Sequence, residues 1–298
     1  MTCKFYKQND PDFPYYHFTA AGFSCKIVPA FGGSIQELVV NNKTIIEGVS
    51  TNREGLKKYR QMCNSAILFP FPNRIKHGTY SFEDKTHSLP VNEPSHNNAI
   101  HGIVYTKSFD LISFTENSIG LNYTHHGSTG FPFPFSIELH YSFSLQKIEL
   151  EVLVRNTGDS SFPFGLGWHP YFSTEDQIET KINFSSDTMY EVDEQMIPFR
   201  SKLEEFNEIK LEKAEIDNAF QLKKPVVRLL GSEYNLKLQI PEASYLQLFT
   251  PDHRRSVAIE PISCIADAFN NRIGLKVLHP GKKFSWPLTL QVENPHDL

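Results

Sequence analysis

Residues 136–155 read SIELHYSFSLQKIELEVLVR and carry the clearest structural pattern in the chain. Apolar and polar side chains alternate over residues 136–145, and the alternation resumes over residues 148–154. Because successive side chains of a strand point to opposite faces, a period of two is typical of strands with one buried face. Only Gln146 and Lys147 separate the two runs, which predicts an antiparallel hairpin.

The same period of two recurs elsewhere in the chain. Near the C-terminus it runs from Phe284 to Val292. Pro287 lies within this run and predicts an edge position or a bulge, because proline cannot donate to a strand ladder. Shorter runs, each close to turn residues, predict further strands at residues 35–40, 109–114, 119–124, 236–240, 245–250 and 257–260.

Helical patterns are sparse and are confined to charged stretches. Residues 202–216 are the best helix candidate, since apolar residues recur there at three-residue spacing among many charges. The basic stretch at residues 53–60 favours an exposed turn over an anion-binding site. We therefore expect a single large antiparallel β domain over residues 1–298.

Composition indicates a globular protein and narrows its partners. The 298 residues give a prior of roughly two domains, but strand alternation from end to end favours one. Hydrophobic residues make up 40% of the chain and charged residues 21%, which excludes a disordered polyelectrolyte. With 29 basic and 34 acidic residues the net charge is −5, so we expect no nucleic-acid partner.

Cysteine use and the lack of long apolar runs favour a cytoplasmic location. Cys3, Cys25, Cys63 and Cys264 form no C-x-x-C pair, and their spacing fits neither a zinc site nor a disulfide framework. The first 18 residues contain no apolar stretch typical of a secretory signal. No run approaches the roughly 18 apolar residues of a membrane helix, so we expect no membrane partner. The oligomeric state is left open.

Common catalytic motifs are missing from the sequence. The twelve histidines include no H-x-x-x-H or H-E-x-x-H on a helical pattern, and the adjacent His125 and His126 would point to opposite faces of a strand. The sequence therefore predicts no metal site. It also contains no G-x-S-x-G motif, no P-loop and no dinucleotide fingerprint.

Two candidate acid–base residues lie where apolar runs meet proline. In residues 162–172, FPFGLGWHPYF, Pro170 keeps the preceding His169 out of the helical region, and a histidine suits proton transfer near neutral pH. Glu260 closes a short apolar run before Pro261 and suits a general base if it is partly desolvated. Taken singly, a hydrogen-bonded core histidine and a surface ion pair are the ordinary alternatives.

Four further polar residues lie at predicted loop edges. Asn73 and Arg74 follow a proline-rich stretch, and Arg74 offers a rigid fork of donors to hydroxyls or an anion. His101 precedes Gly102 beyond a loop rich in asparagine and proline. Asp217 stands where the charged segment ends, and its carboxylate suits vicinal hydroxyls. Each of these residues also has an ordinary explanation as part of a turn.

Taken in order along the chain, these pieces resemble the aldose 1-epimerase (galactose mutarotase) family. The resemblance extends from the FGGSIQEL segment at residues 31–38 to the last predicted strand. It rests on five ordered motifs: NRI at 73–75, HG at 101–102, GWHPYF at 167–172, Asp-Asn before Ala-Phe at 217–220, and EP-x-S-C-x-x-D-A-F-N at 260–270. It implies an all-β fold, a large antiparallel β-supersandwich with few short helices and a sugar cleft.

The resemblance also implies roles for the candidate residues. Glu260 corresponds to the catalytic base and His169 to the general acid, with His101 completing a histidine pair around the anomeric centre. Arg74, beside Asn73, and Asp217 correspond to ligands of sugar hydroxyls. No cofactor is implied, because only protons move during ring opening and reclosure. An aromatic residue among Trp168, Tyr171 and Phe172 is expected to stack on the sugar.

The sequence leaves the substrate open within this class. Hexose-6-phosphate 1-epimerases resemble this family but carry an arginine shortly after the HG motif, where this chain has only Lys107. Phosphate needs two or three charge-assisted donors, so an unphosphorylated aldohexose is favoured. The basic residues at 53–60 would have to reach the cleft for the phosphate alternative. A carbohydrate-binding module without turnover is the hypothesis from a different class.

Overall fold

The computed structural model describes residues 2–6, 12–174 and 179–293, and strands dominate it. The strands of the first half are β1 (Thr2–Tyr6), β2 (Tyr15–Ala20), β3 (Phe23–Val28), β4 (Ser34–Val40), β5 (Lys43–Glu47), β6 (Ala66–Leu68), β7 (Arg74–Lys76), β8 (Thr79–Phe82), β9 (Lys85–Ser88), β10 (Asn98–Ile100), β11 (Asp110–Phe114) and β12 (Ser118–His125).

The second half of the chain continues the same way. Its strands are β13 (Phe135–Ser144), β14 (Lys147–Asn156), β15 (Phe162–Phe164), β16 (Gly167–His169), β17 (Tyr171–Ser173), β18 (Lys181–Val192), β19 (Pro198–Lys210), β20 (Asp217–Leu222), β21 (Val226–Leu230), β22 (Asn235–Gln239), β23 (Tyr245–Phe249), β24 (Ser256–Ile262), β25 (Lys276–Leu278) and β26 (Lys283–Glu293).

Two antiparallel sheets carry most of these strands. The first has the order β1-β2-β3-β4-β5. In the described part of the chain the second has fifteen strands, in the order β11-β12-β13-β14-β26-β22-β21-β18-β20-β23-β24-β16-β6, with β17 on β24 and β19 on β18. The two sheets pack face to face: the Phe18 ring of the first stacks on Phe143 of the second with centroids 4.2 Å apart. The expected all-β supersandwich is confirmed.

The strand predictions agree with the structure. Residues 136–155 form the β13–β14 hairpin, in which Leu139 pairs with Val152. The shorter runs all fall on strands. Pro287 pairs with Glu151 of β14, while the other neighbour, β22, pairs only with residues 289–293. The strand therefore has one described neighbour at Pro287, as an edge position requires.

The helix prediction for residues 202–216 is wrong. Much of this stretch belongs to β19, which pairs with β18. Phe206 and Ile209 both pack against the core, although a regular strand would turn side chains three apart to opposite faces. The β18–β19 register shifts between Asn183 and Ser186, the partners of Glu208 and Phe206. The extra residue of this irregularity lies on β18, and Leu203, the third apolar residue of the pattern, is 81% exposed, so the three-residue spacing does not mark one buried face.

The turn prediction for residues 53–60 is also wrong. These residues form helix α1 (Arg53–Met62), whose N-cap Asn52 accepts a hydrogen bond from the Gly55 amide at 2.8 Å. Only Gly55 and Tyr59 are buried in α1, and two buried positions are too few to show a helical repeat in the sequence. A second short helix is α2 (Ala268–Asn271). Within the described ranges, no helix has both the length and the apolar character needed to cross a bilayer.

The stacked pair of Phe18 and Phe143 gives a test of the sandwich interface. Phe143 is 2% exposed, and its ring packs between the two sheets against Phe18. We therefore expect Phe143→Ala to lower the free energy of unfolding by about 3–5 kcal/mol, because it leaves a cavity at the interface of the sheets. The matched control is Phe199→Ala, at a position 61% exposed, with a change of about 0.5 kcal/mol or less. Equilibrium unfolding in urea measures both. Equal effects would contradict the interface.

Candidate active site

Four neighbouring strands form the floor of a cavity. In the order β16, β24, β23 and β20, they contribute the side chains of His169, Glu260, Gln247 and Asp217. Gln247 lies directly opposite Glu260 in the β23–β24 ladder, and Ala219 lies opposite Gln247 in the next one. Asp217 is two residues from Ala219 and so shares its face. The four polar side chains therefore follow one line across the sheet.

The position of Glu260 follows from the alternation along β24. Val257 and Ile259 point into the main core, so Glu260 points to the opposite face and into the cavity. Glu260 is only 3% exposed, which rules out the alternative of a surface ion pair. The strand continues past Pro261 to Ile262, so the carboxyl group is fixed by strand backbone on both sides.

His169 reaches Glu260 because two glycines let β16 approach β24 closely. A Cβ atom at Gly167 would lie 2.9 Å from Ile262 Cγ2, and one at Gly165 would lie 2.1 Å from Cys264 Sγ. With no Cβ atom there, the segment packs tightly against its neighbour, and His169 Nε2 lies 3.5 Å from Glu260 Oε1. The structure thus brings together two residues 91 positions apart in the sequence.

The His101-Gly102 turn forms a wall of the cavity. Both residues have left-handed backbone, with φ of 64° and 70°. A Cβ atom at Gly102 would lie 2.3 Å from the Phe69 carbonyl oxygen, so only glycine fits there. The turn places the His101 ring edge-on to that of His169, with centroids 5.0 Å apart. The amide of His101 donates to the Asn73 carbonyl at 2.9 Å, which connects this wall to the neighbouring wall formed by Asn73 and Arg74.

Arg74 is clamped by a carboxylate that the sequence analysis missed. Its Nε donates to Glu93 Oε2 at 2.9 Å and one terminal nitrogen donates to Glu93 Oε1 at 2.8 Å, while the other reaches Asn73 Oδ1 at 3.2 Å. The Asn98 amide also donates to Glu93, at 3.3 Å. Such a fork-to-carboxylate pair fixes the guanidinium plane. Glu93 lies in a loop 19 residues away, and no local pattern marks it as the partner of Arg74.

The structure narrows the three aromatic residues that were expected to stack on a sugar. Trp168 and Phe172 are buried in the core, and of the three candidates only Tyr171 lines the cavity. Phe249, which the sequence analysis did not single out, lies on the same wall, with its ring edge-on to Tyr171 at 6.4 Å. The lining residues are Asn73, Arg74, Ile100, His101, His169, Tyr171, Asp217, Gln247, Phe249 and Glu260, around about 150 Å³ of space.

Burial sets the electrostatics of the two central groups. It raises the pKa of Glu260 well above its usual range, and the nearby Asp217 charge adds to the rise. It lowers the pKa of His169 to about 4. Removal from water disfavours the charged form of each group. Both shifts favour the uncharged forms, in which the Glu260 carboxyl is an acid and the His169 imidazole is a base.

Burial also shifts the pKa values of two neighbouring groups, His101 and Asp217. The pKa of His101 falls well below its usual value because of burial, with further contributions from His169 and Arg74. Burial raises the pKa of Asp217, although Arg74 and Gln247 oppose the rise. Gln247 donates to Asp217 Oδ1 at 2.7 Å. Among the described residues, no three His, Cys, Asp or Glu side chains are grouped so that they could hold a metal ion.

Comparison with known proteins assigns the family. The sequence profile described as Aldose 1-epimerase matches residues 15–291, almost the whole chain. The chain belongs to the aldose 1-epimerase family. As a member of this family, it carries the five ordered motifs in or beside the cavity that holds Glu260 and His169.

Individual relatives of this aldose 1-epimerase family member are distant. The uncharacterized protein YihR of Escherichia coli K12 is 28% identical over 72% of this chain and 75% of its own length. Human galactose mutarotase is 28% identical over 45% of this chain and 40% of its own length. Among solved structures, a galactose mutarotase-like protein from Clostridium acetobutylicum superposes with a TM-score of 0.87 at 22% identity, covering 98% of both chains. Galactose 1-epimerase from Lactobacillus acidophilus superposes with a TM-score of 0.81 at 18% identity, covering 99% of both.

The clamp on Arg74 gives a stability prediction. Glu93→Ala leaves a largely buried guanidinium without its carboxylate, so we expect the free energy of unfolding to fall by about 3–5 kcal/mol. The control is Glu204→Ala, which removes the partner of Lys202 in an exposed ion pair and should cost about 1 kcal/mol or less. Urea unfolding of both variants measures the difference. Indistinguishable midpoints would show that the clamp contributes nothing.

The low pKa of His169 gives a second prediction. Because burial is its largest cause, the imidazole should be neutral at pH 6 and take up its proton only near pH 4. A titration followed by ¹⁵N NMR measures this, with the His169→Asn variant assigning the resonance. Glu260→Gln should leave the midpoint low, since burial is unchanged. A midpoint near 6.5, the usual histidine value, would contradict the buried assignment.

Proposed function

We propose that this protein interconverts the α and β anomers of an unphosphorylated aldohexose by acid–base ring opening and reclosure. The observation that carries the proposal is the buried Glu260–His169 pair, 3.5 Å apart in a cavity lined by further hydrogen-bonding groups. Membership of the aldose 1-epimerase family supports it. Proton transfer is the chemistry that such a pair supplies without any other component.

In the proposed mechanism Glu260 removes the proton from the C1 hydroxyl. The C1–O5 bond breaks as the C1=O bond of the aldehyde forms, and His169 gives its proton to O5. Rotation about C1–C2 exposes the other face of the aldehyde, and reclosure with the proton transfers reversed gives the other anomer. Atoms and charges balance within the pair and the sugar, so no cofactor takes part.

The single proton of the Glu260–His169 pair supports both directions of this reaction. With the proton on His169, Glu260 is the base and His169 the acid. With the proton on Glu260, which burial favours in the free protein, the roles are exchanged. Ring opening moves the O1 proton to Glu260 and the His169 proton to O5, and reclosure reverses both transfers, so one proton pair serves the opening and closing of either anomer.

The remaining cavity residues are proposed to bind the sugar hydroxyls. Asp217 and Gln247 offer an acceptor and an amide on the floor. Arg74 and Asn73 form the neighbouring wall. The buried Nδ1 of His101 has no hydrogen-bond partner among the described residues, and buried polar atoms are nearly always paired. A sugar hydroxyl at this nitrogen would satisfy it.

Charge favours an unphosphorylated substrate. Arg74 is the one cation among the described residues that line the cavity, and its guanidinium is already held by Glu93. Lys107 lines a different cavity, and the basic residues of α1 line neither. A phosphate group needs two or three charge-assisted donors. The hexose 6-phosphate alternative therefore lacks the donors it requires in this cavity.

The hypothesis of a binding module without turnover is disfavoured by the energetics of burial. Sugar hydroxyls are bound adequately by exposed polar and aromatic side chains, which carry little desolvation cost. Here a carboxyl and an imidazole are both about 95% or more buried side by side. Removing ionisable groups from water costs several kcal/mol each, so their retention favours a role in proton transfer.

Polarimetry with freshly dissolved α-D-glucose and α-D-galactose tests the proposal. The wild type should accelerate the approach to anomeric equilibrium, and Glu260→Gln and His169→Asn should each lower that acceleration by about 100-fold or more, because positioned acid–base groups supply about 10²–10⁴-fold. The matched controls Glu149→Gln and His126→Asn change exposed residues outside the cavity and should keep wild-type activity. No acceleration of any aldose by the wild type would overturn the proposal, and full activity in either variant would overturn the residue roles.

A further inference from the structure

The turn between α1 and β6 is hydrogen-bonded to the backbone on both sides of Pro170. The Ser65 amide donates to the His169 carbonyl at 2.7 Å, and the Tyr171 amide donates to Asn64 Oδ1 at 3.1 Å. Pro170 has no amide hydrogen and separates β16 from β17, so regular strand structure is interrupted at this point. Two consecutive residues of the turn therefore hold the backbone that carries His169.

Asn64 is itself held by the first sheet. Its side-chain amide donates to the carbonyl of Glu47, the last residue of β5, at 2.7 Å. Its backbone carbonyl accepts from Gln36 Nε2 at 3.1 Å, and the same nitrogen donates to Ser34 Oγ at 2.8 Å. Asn64 and Gln36 are each 3% exposed, and Ser34 is fully buried. A chain of buried hydrogen bonds thus runs from β4 of the first sheet to the backbone beside His169.

This chain of hydrogen bonds explains a motif that lies outside the cavity. Ser34 and Gln36 belong to the FGGSIQEL segment at residues 31–38, and neither is among the described residues that line the cavity. Gln36 Oε1 accepts from the Val49 amide at 3.1 Å, so both ends of its side chain are paired. Buried polar groups are costly unless they are hydrogen-bonded. The polar side chains of this motif therefore serve to hold Asn64.

The imidazole of His169 depends on such support because it has few direct bonds. Its Nδ1 makes no hydrogen bond to another residue of the described chain. Its Nε2 lies 3.5 Å from Glu260 Oε1, longer than the roughly 2.7–3.2 Å of an ordinary N–H···O bond. The ring packs against those of His101 and Tyr171, each with centroids 5.0 Å away. Its position is therefore set mainly by its own backbone and by Tyr171.

We propose that Asn64 is a positioning residue that sets the distance and angle between His169 and Glu260. It acts by binding the Tyr171 amide, which fixes the chain immediately after His169. This inference rests on the proposed anomer interconversion, in which those two groups transfer the protons. Asn64 is not among the described lining residues of the cavity, so it would not touch the sugar. Its loss should lower kcat and leave KM nearly unchanged.

Asn64→Ala tests this role against a matched buried asparagine. Asn156 is 1% exposed and also binds backbone at both ends of its side chain. Its Nδ2 donates to the Leu278 carbonyl at 2.8 Å, and its Oδ1 accepts from the Gly158 amide at 2.9 Å. It lies outside the described lining of the cavity. Because Asn64→Ala and Asn156→Ala remove bonds of the same kinds, both should lower the midpoint of urea unfolding by similar amounts.

Polarimetry on a freshly dissolved aldohexose separates the two variants. Asn64→Ala should lower kcat by about tenfold or more, because a displacement of about 1 Å in a reacting group can cost about 100-fold. Its KM should stay within about threefold, since Asp217 and Gln247 lie on other strands. Asn156→Ala should keep the wild-type kcat. Equal losses of kcat in the two variants, or a rise in KM without a fall in kcat, would overturn the positioning role.

NMR supplies a readout that does not depend on turnover. Asn64→Ala should shift the ¹⁵N resonances of the His169 imidazole and of the Tyr171 amide, and Asn156→Ala should leave both at their wild-type positions. Unmoved His169 resonances in Asn64→Ala would overturn the proposal. If the wild type accelerates no aldose, the proposed function fails, and the same resonances still decide whether Asn64 positions His169.

Asn64→Asp covers the case in which the alanine variant does not fold. The new side chain keeps an oxygen acceptor for the Tyr171 amide. Burial favours its neutral form, whose O–H can donate to the Glu47 carbonyl in place of the amide. We expect His169 resonances close to those of the wild type and a kcat within about threefold. A folded Asn64→Asp variant whose kcat falls as far as that of His169→Asn would overturn the role of the acceptor.

Discussion

The burial of Glu260 beside His169 is the constraint on which the rest of the site depends. An ionised carboxylate removed from water costs several kcal/mol unless it is paired or protonated. Here the nearest titratable partner is an imidazole 3.5 Å away, itself buried, and burial favours the uncharged form of each group. A carboxyl and an imidazole held together in this way are prepared to remove a proton at one position of a substrate and deliver one at another.

The fold is arranged to maintain that pair. Alternation along β24 turns Glu260 away from the core, and glycines at 165 and 167 allow β16 to approach closely enough for contact. The His101-Gly102 turn closes one side with a backbone conformation that suits glycine. Glu93 fixes Arg74 on another side. The cavity is thus shaped by contacts outside the reacting pair, as preorganised acid–base sites require.

The sequence predicted the strands better than it predicted the site's supporting contacts. Alternation identified the hairpin at residues 136–155 because each strand has one buried face. The three-residue spacing in residues 202–210 wrongly indicated a helix, because Leu203 is exposed and the spacing does not mark one buried face. Positions at the ends of apolar runs and at loop edges marked Glu260, His169, Arg74, Asn73, His101 and Asp217 as candidates, and the family resemblance gave them roles. The structure places all six around one cavity. Glu93, Gln247 and Phe249 were missed, because their importance comes from partners on other strands or loops and leaves no local signal.

A crystal structure of the Glu260→Gln variant with an unphosphorylated aldohexose tests the central claim most directly. The substitution keeps the shape of the side chain and removes its ability to accept a proton as a base, so the substrate should persist in the cavity. The account predicts O1 of the sugar within about 2.6–3.2 Å of the side chain at position 260, and O5 within the same distance of His169 Nε2. A sugar bound with its anomeric carbon toward Asp217, or bound outside the cavity, would contradict it.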